Sequence, residues 1–78
     1  MDWNAIKVPE GAKLFKVHNY NYMFKGTNYL IELNEYSDSK WVGHGEHATD
    51  KNSVVPTVSG SSKEECLNLL VASINQRI

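Results

Sequence analysis

Seventy-eight residues make one domain with a thin core and leave no room for a second. The formal net charge of −1 comes from eight basic and nine acidic residues mixed along the chain, which removes the usual electrostatic case for binding nucleic acid or an anionic membrane. A single cysteine, Cys66, cannot close an internal disulfide, so a reducing, cytoplasmic setting is favoured over secretion.

The chain opens on Met1-Asp2-Trp3-Asn4, which has neither the basic start nor the apolar run of a secretory signal. No stretch has the length and hydropathy needed to span a bilayer. Pro9-Glu10-Gly11 ends any early helical turn, so residues 1–11 read as an arm whose Trp3 packs onto the body.

Ala12 to Phe24 predicts a strand. Tyr20, Tyr22 and Phe24 recur with period two, and His18-Asn19-Tyr20-Asn21-Tyr22 alternates aromatic and amide side chains. Phe15 and Val17 fall on the other parity, which predicts a bulge or break near His18-Asn19. Lys25-Gly26-Thr27-Asn28 is a turn in which Gly26 is free to take positive φ. Tyr29 to Tyr36 is the clearest strand: Tyr29, Ile31 and Leu33 should meet the core, while Leu30, Glu32 and Asn34 face water or a partner.

Ser37-Asp38-Ser39-Lys40 turns the chain into a partner strand from Trp41 to Ala48. Gly43 and Gly45 share a side with Trp41 and His47, where small residues let a bulky neighbour lie flat. After the polar loop at residues 49–53 comes a short strand, Val54-Val55-Pro56-Thr57-Val58. Pro56 cannot donate to a ladder, which places that strand at an edge or turns Pro56 outward.

The segment from Ser61 to Ile78 predicts the one helix. Ser61 with Glu64, or Ser62 with Glu65, makes a capping box. Leu67, Leu70, Val71, Ile74 and Ile78 recur at spacings of three and four and so share a face, with Cys66 on its flank as a small buried hydrophobe. A helix this short is marginal alone and must dock on the sheet. Leu69 points away from that face and is a candidate contact with a second chain. The fold class expected is therefore α+β: an antiparallel sheet of three to four strands with one C-terminal helix packed on one face.

The candidate chemistry is sparse. His44 and Glu46 point the same way on their strand while His47 points to the other face. A metal site needs three or four converging ligands, and His18 would complete one only through the fold. His-x-Glu also opens the zinc deaminase signature, but the Cys-x-x-Cys is absent. Ser59-Gly60-Ser61-Ser62 before the helix lacks the phosphate-binding Gly-x-x-x-x-Gly-Lys spacing and reads as a cap. Tyr20, Tyr22, Tyr29, Tyr36 and Trp41 offer rings for base stacking, but Lys13, Lys16, Lys25, Lys40 and Lys51 are scattered among acids.

From Asn28 onward the pattern resembles the HicB-like antitoxin fold. Tyr29-Leu30-Ile31-Glu32-Leu33-Asn34-Glu35 matches its first core strand, and Lys40-Trp41-Val42-Gly43-His44-Gly45 its second. Val58-Ser59-Gly60-Ser61-Ser62-Lys63-Glu64-Glu65-Cys66-Leu67 matches its entry into a Leu-rich helix. The resemblance implies a small antitoxin that silences an RNA-cleaving toxin, in a family whose members commonly self-associate. The segment before Asn28 is longer than the family's usual start. The DNA-binding module that often follows the helix has no residues here.

These observations predict a non-enzymatic protein-binding module, antitoxin-like or an inhibitor, with no cofactor, no metal and no membrane contact. Its partner would be another protein, such as a toxin or a defence enzyme, with a second copy of the chain as a further partner. Candidate contact residues are Tyr20, Tyr22, Tyr36 and Trp41, as outward aromatic anchors, and Leu69. The alternatives are a nucleic-acid-binding domain using the aromatics, a phage-type inhibitor of a bacterial defence enzyme, and a hydrolase centred on His44 and Glu46.

Overall fold

The computed structural model describes residues 6–50 and 54–76. Five elements follow in order: β1 (Lys16–Phe24), β2 (Thr27–Ser37), β3 (Lys40–His47), β4 (Val54–Gly60) and α1 (Lys63–Asn75). The four strands form one antiparallel sheet in the order β1-β2-β3-β4, and α1 packs on one face of it. This is the α+β arrangement that the sequence predicts. No helix among the described residues is long and apolar enough to cross a membrane.

The hairpin turns set the register. Lys25 and Gly26 have φ of 50° and 79°, the two consecutive positive values that let a two-residue turn match the twist of its strands. From that turn β1 and β2 pair without interruption, from Phe24 opposite Thr27 to Lys16 opposite Glu35. The bulge expected near His18-Asn19 is therefore absent. The change of parity is real but has another meaning: Val17 lies on the opposite face of β1 from Tyr20, Tyr22 and Phe24. A register shift falls instead between Glu35 and Ser37, and another lets β4 place three steps (Val55 to Val58) against two of β3 (Gly45 to Gly43).

Tyr29, Ile31 and Leu33 of β2 meet Trp41 of β3, Val55 of β4 and Cys66, Leu70 and Ile74 of α1 in the core. Each of these side chains is buried, and Leu33, Cys66, Leu70 and Ile74 have essentially no exposed surface. The helix's buried stripe thus runs at steps of four through Cys66, with Leu67 and Val71 half-buried on its shoulders.

Gly43 explains how α1 sits so close. A Cβ there would lie 2.8 Å from Leu70 Cδ1 and 3.0 Å from Leu33 Cδ2, so only a bare backbone allows the helix to lie flat across β3.

Ser62 caps α1: its side chain accepts from the Glu65 amide at 3.1 Å. The Glu65 carboxylate reaches back to the Ser61 amide at 2.8 Å, one residue before the cap. The expectations for Trp3 and Ile78 lie outside the described residues. Ile6 and Val8, in the described part of the arm, are exposed.

Candidate functional site

Alternation along the strands sorts the side chains into a helix side and an open side. On the helix side, α1 lies chiefly over β2, β3 and β4. It reaches β1 through Tyr22, whose hydroxyl donates to Asn75 Oδ1 at 2.7 Å. Tyr20, Tyr22 and Phe24 form a half-buried aromatic shelf packed against the core, with Tyr22 and Phe24 stacked 6.1 Å apart. Trp41 is buried. The placement of Tyr20, Tyr22 and Trp41 as outward anchors is thereby corrected: pairing register turns all three to the helix side. The same parity that puts Gly43 beneath the helix puts Trp41 there too.

Tyr36 alone of the four aromatic candidates stands on the open side. Its ring lies 4.9 Å from Phe15, with the Lys40 ammonium 5.8 Å from its centre. Leu69 is exposed on the outer surface of α1, on the same side as Glu65 and Ala72.

Beyond Trp41, the helix side holds a pair that sequence reasoning missed. His18 Nε2 and Glu35 Oε1 are 2.9 Å apart, and the imidazole lies 5.2 Å from the Trp41 ring. Glu35 is buried and His18 half-buried, so the contact satisfies a carboxylate beneath the sheet's end. Two residues 17 apart meet only because the Lys25-Gly26 turn fixes the register, and no local spacing announces it.

The histidines of β3 separate as predicted. His47 turns to the helix side, where its Nδ1 accepts from the Asp50 amide at 2.9 Å and the Thr49 amide at 3.2 Å. Its ring meets Tyr29 edge-on, so it caps the loop that leaves β3. His44 and Glu46 share the open side, in a shallow depression of about 320 Å³ that Asn19, Leu30 and Glu32 also line. His44 Nδ1 is 3.3 Å from Thr57 Oγ1. No group of three His, Cys, Asp or Glu residues able to hold a metal ion occurs among the described residues.

No described helix or second sheet covers the open side, where exposed apolar residues stand among Asn19, Asn21, Asn28, Glu32, His44 and Glu46. Val17, Met23 and Leu30 stand 43%, 65% and 40% exposed, and Leu14 and Phe15 lie just before β1 at similar values. Val42 joins them half-buried, opposite Asn34. Asn34 sits between Val17 and Val42 with 5% of its surface exposed, and its Oδ1 has no hydrogen-bond partner among the described residues. Charges mark the two ends of this face. Lys13 and Lys40 border a groove with Tyr36 and Val42 at one end, and Glu32 and Glu46 line the depression at the other.

No protein-family model matches this chain, and neither does any curated protein or solved structure. Geometry therefore carries the functional argument. Leu30 faces outward as the alternation of β2 predicts, while Phe15, Val17, Met23 and Val42 are the residues of this face that sequence reasoning did not single out. Their signal is the odd parity of Phe15 and Val17, which marks the second face of β1 and no bulge.

Proposed function

We propose that this protein is a non-enzymatic protein-binding module that docks its partner on the open side of the sheet. The observation that supports this is two groups of exposed apolar side chains on the open side, Phe15 and Val17 beside Tyr36 at one end and Met23 with Leu30 at the other, on a face that no described helix or second sheet covers. Isolated exposed apolar residues need no explanation, but two groups of them on one uncovered face point to a partner. Such a face gains most from burial against a complementary apolar surface, at about 25 cal/mol per Å² of area removed from water.

The charged ends would orient the partner, with acids met by Lys13 and Lys40 and bases by Glu32 and Glu46. An antitoxin-like or inhibitor role, the one a HicB-like hairpin and helix imply, is the finer form of this reading. A toxin or defence enzyme would then be the protein held there.

The test compares the wild-type chain with a Met23→Glu, Leu30→Glu double variant as bait in the native host's extract. Both positions are exposed, so the thermal midpoint should stay within a few degrees of wild type. A protein held by wild type and lost by the double variant supports the reading. Identical retention by both baits rejects it.

A further inference from the structure

The two edges of the sheet are built differently. β4 carries Pro56 and an irregular register against β3, both of which discourage a further strand from pairing there. β1 has neither device. It is nine residues long, pairs with β2 in unbroken register, contains no proline, and carries charge only at Lys16.

Which backbone groups of β1 face outward follows from the ladder. Thr27 and Phe24 flank a two-residue turn and exchange hydrogen bonds across it. Asn28 instead directs its carbonyl away from β1, to the Ala48 amide at 3.0 Å. Alternation then turns the backbone of residues 16, 18, 20, 22 and 24 toward β2. The N–H and C=O groups of Val17, Asn19, Asn21 and Met23 are left at the free edge.

We propose that β1 pairs with β1 of a second copy of this chain, antiparallel about a two-fold axis at Tyr20, joining two sheets into one. Tyr20 is the midpoint of the strand, so this register uses its whole length. It sets Val17 opposite Met23 and Asn19 opposite Asn21 as hydrogen-bonded pairs, with about eight backbone bonds formed across the axis. On the open side an apolar pair and an amide pair result, each repeated by symmetry. On the helix side His18 meets Tyr22, and Tyr20 meets its own copy in the closer, non-hydrogen-bonded spacing.

Neighbouring registers are worse. Centring on Asn19 sets Val17 against Asn21, and centring on Asn21 sets Met23 against Asn19, so each opposes an apolar side chain to an amide. A one-residue slip brings inward-facing amides to the seam and makes no ladder. The strand is thus complementary to itself in one register, and a second copy is the occupant its sequence fits. The half-exposed shelf of Tyr20 and Tyr22, which α1 only borders, would then be flanked by its own image.

Sedimentation equilibrium on the full chain, from micromolar to millimolar, should show the average mass rising to twice that of one chain. Asn21→Pro removes an outward donor while leaving the β1–β2 ladder intact, and should weaken the dimer about tenfold or more with the circular dichroism of the fold retained. Met23→Lys tests the apolar pair in the same way. Tyr20→Cys should form a disulfide-linked dimer on mild oxidation, because Cα atoms about 4.5 Å apart across the axis lie within disulfide reach. Tyr22→Cys, which faces His18, should not link, and buried Cys66 does not compete. A chain that stays monomeric throughout overturns the proposal. So does a dimer indifferent to Asn21→Pro, or linking at position 22 as efficient as at 20. If Asn21→Pro fails to fold, the two cysteine variants decide alone.

Discussion

Gly43 sets the distance between layers. Its missing side chain is the space that Leu70 occupies, with Leu33 and Val58 closing in from the sheet. Gly43→Ala should cost about 1–3 kcal/mol, because Leu33 and Leu70 are fully buried and have nowhere to retreat. Urea denaturation at neutral pH measures it. Cys66, in the same layer, has its thiol pKa pushed up, first by burial and second by the nearby Glu65 carboxylate. A raised pKa means that the folded chain holds this proton more tightly than the unfolded one. The stabilisation is complete below the ordinary value of 9.0 and is lost as pH climbs from there through the folded value. Wild type should therefore lose more stability than Cys66→Ala between about pH 8 and about pH 10.5 in paired urea titrations. An equal loss in both chains would contradict the burial argument.

The elements follow from local chemistry to different degrees. α1 begins where its cap is, and Ser62→Ala should remove about 0.5–2 kcal/mol, read as a lowered thermal midpoint. Of the two serines that fit a capping box, the second wins, since its partner Glu65 also satisfies the Ser61 amide. β2 and β3 are legible because Tyr29, Ile31 and Leu33 alternate cleanly and Gly43 marks where the helix rests, while Gly45 makes room for Val55 of β4. β1 is not. Period two puts its aromatic residues on one face, but nothing in the period says that this face turns inward, and the expectation of outward anchors fails for Tyr20 and Tyr22. An edge strand that α1 scarcely reaches has no single apolar side: Tyr20, Tyr22 and Phe24 are half-buried on one face while Val17 and Met23 are exposed on the other. Periodicity reveals that two faces differ, and only the register of the β1–β2 hairpin says which one the helix takes. The His18–Glu35 contact and the burial of Asn34 depend on that register as well, so neither was visible in the sequence.

At the scale of the molecule, one helix on a four-stranded sheet covers only half of the sheet's surface. The remainder is the face proposed to hold a partner, and the β1 edge lies at right angles to it. Docking on the face and pairing at the edge are therefore separable, and Val17 and Met23 are the residues they share. Substitutions at Leu30 report on the first alone, and substitutions at Asn21 chiefly on the second. The strand order has a further effect, on kinetics. Each strand pairs with the one before it, so no pairing has to await the closure of a long loop. Collapse can proceed hairpin by hairpin, with α1 sealing the product last. Stopped-flow refolding of the monomer should be a single exponential on a timescale of about milliseconds. Rollover of the folding limb at low denaturant would instead reveal a populated intermediate.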